Sequence, residues 1–150
     1  MGTRAQIGIL KENKEVEHIY CHFDGNLFYT GRILLENYVN PDKILKLISL
    51  GNLVFLGTEI GEKIGSNFVL KSEEQCLFFN RDYNEDNAEA IKFLSLKEFY
   101  QFITKKMWTD YYYLWDVSNS KWMWGEVLHP SLEDSALNLL ITENVKKGDN

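Results

Sequence analysis

Two runs in the C-terminal half, Tyr111-Tyr112-Tyr113-Leu114-Trp115-Asp116 and Lys121-Trp122-Met123-Trp124, are apolar or aromatic at nearly every position and flank the polar tip Val117-Ser118-Asn119-Ser120. β-Branched and aromatic runs around a short polar connection read as a hairpin. The period of two in a strand puts Tyr111, Tyr113, Trp115, Trp122 and Trp124 on one face and Tyr112 and Met123 on the other. Both faces are therefore apolar, and one layer of helices covers only one of them. The second face is expected to be an interface, to another copy of the chain or to a target, with Tyr112, Trp115, Trp122 and Trp124 as its candidate residues.

The remaining punctuation predicts an α+β fold. Ala5 to Leu10 and Val16 to Phe23 are β-prone runs on either side of Lys11-Glu12-Asn13-Lys14, a second hairpin. Beyond Asp24-Gly25 the period changes, and Ile33, Leu34, Tyr38 and Val39 fit a short helix that Asn40-Pro41 interrupts. Asn40 then caps a new helix with Pro41 in its first position, an apolar stripe of Ile44, Leu45, Leu47 and Ile48, and Gly51 as its C-terminal stop. The Asn52 to Gly65 stretch reads as loop and strand edge. Asn67 to Leu70 and Gln75 to Phe79 are strand candidates across a turn at 71–74, and 80–87 is polar enough to predict a surface loop. Ser95-x-x-Glu98 is a capping box ahead of a helix through Phe99, Tyr100, Ile103 and Met107. Pro130 opens a last predicted helix through Leu137, Leu140 and Ile141. The expected architecture is one domain over residues 1–150 with a disordered tail at 146–150, an antiparallel sheet with two hairpins, and three or four helices packed mainly on one face.

The 150 residues, 45% hydrophobic and 14% aromatic, suit one core that buries roughly two-thirds of the unfolded surface. A formal charge of −6, from 22 acidic against 16 basic residues without long runs, argues against direct DNA or RNA binding through phosphate neutralisation. The same acidic surface suits a basic protein partner, or simply solubility. Cys21 and Cys76 lie in apolar contexts without metal or redox spacing, as expected of buried thiols in a cytoplasmic protein. No run of about 18 apolar residues is present, so no membrane partner is expected.

Chemistry concentrates at Ile19-Tyr20-Cys21-His22-Phe23-Asp24-Gly25, where an alternating strand runs into a polar turn. His22 and Asp24, two apart, share one strand face, and a carboxylate beside an imidazole can orient it for proton transfer or ligand binding. The same residues serve equally as a strand stop in which Asp24 bonds its own backbone and Gly25 supplies a positive φ. His18 precedes His22 by four on that face and His129 is remote, so no metal site is expected. Asp82-x-Asn84-x-Asp86 imitates the start of a calcium loop, but Asn87 replaces the turn glycine and Phe93 the bidentate glutamate. Tyr20, His22, Asp24, Arg32, Arg81 and Asp82 are the candidate binding residues. No catalytic residue, metal or cofactor is assigned.

These residues carry a resemblance. Thr3-Arg4-Ala5-Gln6-Ile7-Gly8, the Ile19 to Gly25 segment, Leu34-Leu35-Glu36-Asn37-Tyr38, Ile48-Ser49-Leu50-Gly51-Asn52-Leu53 and Leu56-Gly57 are similar to a group of small phage and prophage accessory proteins with an Ile-Tyr-Cys-His-Trp/Phe-Asp-Gly motif. The likeness covers about the first 65 residues, with a looser match at the Tyr113 to Trp122 hairpin. Members of the group often carry Trp at the place of Phe23, a Tyr-Pro turn at Asn26-Leu27, and His-Arg-Asp where this chain has Asn80-Arg81-Asp82. The resemblance implies an accessory role in a bacterial cytoplasm and supplies no mechanism. The function expected is stoichiometric inhibition of a host defence protein, in the manner of an anti-CRISPR. Sequestration of a nucleotide immune signal, with Arg32 and Arg81 as phosphate contacts, is the alternative, and a small phosphoesterase using His22 and Asp24 comes third.

Overall fold

The computed structural model describes residues 2–65, 74–105, 107–127 and 137–146. Along them run β1 (Ala5–Leu10), β2 (Val16–Cys21), a π-helical turn (Leu27–Gly31), α1 (Arg32–Asn37), α2 (Pro41–Ser49), β3 (Leu53–Phe55), β4 (Leu77–Phe78), α3 (Phe79–Tyr83), β5 (Ile91–Phe93), α4 (Leu96–Lys105), β6 (Tyr111–Asp116), β7 (Lys121–Glu126), β8 (Asn138–Leu139) and a 3-10 turn (Thr142–Val145). The strands form one open sheet in the order β4-β3-β2-β1-β6-β7-β8, with β5 beside the first half of β2.

The sheet is mixed, which corrects the expectation of an antiparallel one. β1 pairs antiparallel with β2 and β6 with β7, but β1 and β6 lie parallel in the middle of the sheet, Ala5 opposite Tyr111 through Leu10 opposite Asp116. β2 and β3 are also parallel, paired at Cys21 and Leu53. The physical reason is in the connections. Parallel neighbours need a long crossover, and the π-helical turn, α1 and α2 lie between β2 and β3. On the outer edge of β2 the gap between β5 and β3 is closed by a side chain: Asn52 Oδ1 accepts the Tyr20 N–H at 2.8 Å.

Helices cover both faces, a second correction. On one face Ile7, Ile9, Ile19, Tyr113, Trp115 and Trp122 pack beneath Leu34 and Tyr38 of α1 and its C-cap and Ile44, Leu47 and Ile48 of α2. Asn40 Oδ1 caps α2 at the Asp42 N–H (2.8 Å), and Gly51, at φ 85°, ends it in the left-handed conformation that glycine adopts without cost. On the other face Leu10, Val16, Tyr112 and Leu114 pack against Phe99 and Ile103 of α4. The Ser95 hydroxyl accepts the Glu98 N–H at 3.2 Å, so the box read from sequence does start α4, which ends at Lys105, short of Met107. Tyr112 is fully buried under this helix, its ring 5.8 Å from Phe99 and 5.3 Å from Tyr100. The apolar second face is thus closed within the chain, and Tyr112 is a core residue rather than an interface residue.

Other expectations meet mixed outcomes. The predicted surface loop at 80–87 contains most of α3, and the predicted strand at 75–79 shrinks to Leu77–Phe78. β5 had no sequence signal. Leu137 to Ile141, expected in a helix, carries β8 instead. The strand at 67–70, most of the turn at 71–74, the start of the last helix at Pro130, His129 and tail residues 147–150 lie outside the described residues. Cys21 and Cys76 are buried free thiols.

Under α4 sits a buried polar relay. The His18 Nδ1–H donates to Gln6 Oε1 at 2.8 Å, and Gln6 Nε2 donates to Thr109 Oγ1 at 3.2 Å. The imidazole lies among Phe93, Phe99 and Phe102, with Nε2 buried and unpartnered. Burial pushes its pKa from 6.5 down to about 4. Above pH 6.5 both folded and unfolded chains are neutral here. Below it only the unfolded chain takes up a proton, so stability falls as the pH drops from 6.5 to about 4, by about 3 kcal/mol in total. Urea midpoints measured across this range should show that loss, and His18→Phe should flatten the part due to this ring.

Candidate functional site

At the end of β2 the chain turns through His22-Phe23-Asp24-Gly25. The His22 and Phe23 N–H groups donate to the Leu53 and Val54 carbonyls, both at 3.0 Å, carrying the parallel pairing with β3 past the strand end. Asp24 takes the positive φ, 56°, and Gly25 does not, which corrects the reading of Gly25 as the left-handed residue. Glycine is required there by proximity: a Cβ on Gly25 would lie 2.7 Å from Ala5 Cβ and 2.9 Å from Ala5 N. The turn is then stitched in place. Gly25 N–H donates to Thr3 O (2.8 Å), Tyr113 OH donates to Gly25 O (2.7 Å) and Thr30 OH donates to Asp24 O (2.7 Å). The Asp24 carboxylate is exposed and makes no hydrogen bond to His22, so the orienting pair expected from the two-residue spacing does not form.

The partner of His22 is Tyr20. Its phenol lies 2.7 Å from His22 Nδ1, and the Arg4 charge lies close enough to act on it. Burial raises the Tyr20 pKa above its usual 10, with Arg4 opposing, so the phenol keeps its proton. Register explains the convergence. Arg4 lies one residue before the Ala5–Cys21 and Ala5–Tyr111 pairs, which sets it between His22 on β2 and Asp110 ahead of β6. The Asp110 carboxylate accepts the Arg4 backbone N–H at 2.9 Å. Arg4 and Asp110 carry no local sequence signal, since only the pairing of three strands brings them to His22.

The remaining predicted binding residues serve other ends. Arg81 Nε meets both Asp82 oxygens (3.1 and 3.2 Å), and its terminal nitrogens donate to the carbonyls of Ile60, Gly61 and Cys76, each at 3.0 Å. Its guanidinium also lies over the Phe78 ring, 4.7 Å from the centroid. Asp82, buried, further accepts the N–H of Ile64 (3.1 Å) and of Phe78 (2.8 Å). The pair fastens the 60–64 segment to β4 and α3, and Arg81 has few donors left for a ligand. Arg32 is exposed on α1, paired with Glu36 at 3.4 Å and stacked over Phe28.

A cavity of about 390 Å³ opens on the other face of the sheet. Trp115 and Trp122 form its aromatic wall, edge to face with centroids 5.5 Å apart, and the Trp122 indole N–H is fixed on Tyr38 O at 2.8 Å. Leu35, Val39 and Pro41 from the α1–α2 corner, Leu139 and Leu140 from the β8 region, and the polar Ser120 and Lys121 at the β6–β7 turn complete it. Val39 and Leu139 are 61% and 43% exposed, an apolar rim where a monomer ordinarily turns polar groups to water. Trp124 is half-buried beside Tyr111 and is not part of the cavity. Thus Trp115 and Trp122, predicted as interface residues, do line a recess, while Tyr112 and Trp124 do not. Among the described residues no cluster of His, Cys, Asp and Glu is arranged to hold a metal ion, and no helix is long and apolar enough to cross a membrane.

No family model, curated protein or solved structure matches the chain.

Two contrasts check the roles assigned to the turn and to the Arg81–Asp82 pair. Gly25→Ala should destabilise by about 1–3 kcal/mol through overpacking against β1, whereas Asp24→Gly should be neutral or slightly stabilising because it removes a strained φ. Arg81→Met should cost about 3 kcal/mol by leaving the Asp82 carboxylate buried without its counter-charge, and Arg32→Met less than about 0.5 kcal/mol. Denaturant melts of the four variants provide the measurement.

Proposed function

We propose that the chain is a phage-type accessory protein that acts in the bacterial cytoplasm by stoichiometric binding to a host defence protein, in the manner of an anti-CRISPR. The cavity beside Trp115 and Trp122 carries this reading. Its size falls within the range of sites that accept a single apolar group, and its rim of Val39, Pro41 and Leu139 offers apolar area to a partner surface. The net charge of −6 favours a basic target and speeds encounter with it. A nucleic-acid-cleaving defence enzyme, basic because it grips phosphates, is such a target. A second copy of the chain is the competing occupant of the recess. Sequestration of a nucleotide signal drew on Arg32 and Arg81 for its phosphate contacts, and both are engaged within the fold.

A titration against the isolated defence enzyme tests the reading. Inhibition should become complete near one equivalent and remain partial at a tenth of that. Leu139→Asp, on the exposed rim, should weaken binding by at least about tenfold with an unchanged melting temperature. Complete inhibition at a small fraction of an equivalent would mean turnover and overturn the proposal. A concentration-dependent dimer abolished by Leu139→Asp would assign the cavity to self-association instead.

A further inference from the structure

We infer that the recess beside Trp115 and Trp122 binds a small carboxylate with an apolar body, its hydrocarbon against the two indoles and Leu35, Leu139 and Leu140 and its carboxylate at Lys121 on the β6–β7 turn. The division of the lining into an apolar interior and a polar edge sets the shape of this ligand, and the charge at that edge sets its sign.

The Trp122 indole N–H is taken by Tyr38 O at 2.8 Å, so that ring offers the recess only its hydrocarbon surface. Leu35, Leu139 and Leu140 add aliphatic surface around it, and the polar lining is confined to Ser120 and Lys121, adjacent residues where the hairpin turn enters β7. The volume of about 390 Å³ equals that of roughly thirteen waters at about 30 Å³ each, which is room for a ligand of about ten non-hydrogen atoms. Such a ligand is held by its body and oriented by one polar end.

Lys121 is the one charged side chain among the described residues that line the recess. Its cross-strand neighbour is Asp116, and that carboxylate is already engaged by the turn: Oδ1 accepts the Ser118 N–H at 3.1 Å and Oδ2 accepts from Asn119 Nδ2 at 2.8 Å. The Lys121 ammonium therefore makes no ion pair or hydrogen bond among the described residues and keeps all three donors for a ligand. Indole faces by themselves attract cations, but an ammonium in the lining with no carboxylate beside it reverses that preference. One ammonium balances one negative charge, which a carboxylate supplies and a phosphate dianion exceeds. The Ser120 hydroxyl, next to Lys121, can rotate to donate to the second carboxylate oxygen.

The test uses the intact protein with phenylpropionate, phenylpropanol, phenylpropylammonium and acetate as probes, read by NMR shifts of the Trp122 indole N–H and the Leu139 and Leu140 methyl groups. Phenylpropionate should bind with a Kd below about 1 mM and the alcohol at least about threefold more weakly, while phenylpropylammonium and acetate should not saturate by about 10 mM. Lys121 is exposed at the start of β7, so Lys121→Gln should keep the fold, bring phenylpropionate down to the affinity of the alcohol and leave the alcohol unchanged. Lys121→Arg should keep most of the affinity for the carboxylate. No saturation by phenylpropionate at about 10 mM, or shifts centred away from Trp122 and Leu139, would overturn the site. An alcohol or ammonium probe that binds as tightly as the carboxylate, or an unchanged phenylpropionate affinity in Lys121→Gln, would overturn the assignment of an anion. Only the protein and a probe are present, so the outcome stands apart from the titration against a defence enzyme, although both concern the same recess.

Discussion

Everything in this molecule is arranged around a strand that meets no water on either face. All six residues of β1, Ala5 to Leu10, are buried, and their backbone groups are paired with β2 on one side and β6 on the other. A strand with that environment needs cover above and below, so α1 and α2 are committed to one face and α4 to the other. The parallel pairing of β1 with β6 joins segments about a hundred residues apart, and it brings the aromatic β6–β7 pair into the middle of the core. Phe99 and Ile103 of α4 each contribute about 1.5–3 kcal/mol by leaving water.

Polar groups within this frame are tied to it at every level. Gln6, on the buried strand, is accommodated because His18 and Thr109 hold both ends of its amide. Tyr38 donates to the Gly57 carbonyl at 2.8 Å, contacts the Cys76 thiol at 3.3 Å and receives the Trp122 indole at its own carbonyl, so one residue joins the end of α1 to Gly57, Cys76 and β7. Arg81 and Asp82 do the same for the stretch after β3. Such networks are costly to leave half satisfied, which explains why residues that look like ligand contacts in the sequence turn out to be fasteners.

The tryptophan-lined cavity and the polar row at the end of β2 differ in kind. The cavity beside Trp115 and Trp122 is mostly apolar, with an exposed hydrocarbon rim at Val39 and Leu139 and with Ser120 and Lys121 as its polar edge. The Arg4, Tyr20 and His22 row is polar and lies at the end of the opposite face, with Tyr20 and His22 hydrogen-bonded to each other at 2.7 Å. Neither depends on the other for its geometry, since one rests on the α1–α2 corner and the β8 region and the other on the β2-β1-β6 register.

Local chemistry was legible in the sequence wherever it acts over a few residues. The Asn40 cap, the Gly51 stop, the Ser95 box, the runs of β1 and β2 and the aromatic strands β6 and β7 all follow from neighbours a turn or a strand step apart, and the structure contains each of them. The two-sided apolar pattern at Tyr111 to Trp124 also stated correctly that one layer of helices is too few. What it lacked was the identity of the second cover, because the same pattern is satisfied by another chain or by α4. The parallel pairings, the burial of Asp82 in a stretch that reads as loop, and the entry of Arg4 and Asp110 into the row of His22 were decided only in three dimensions. Each depends on which strands lie side by side and in what register, and that is settled by the packing of segments far apart along the chain, where no local residue preference reaches.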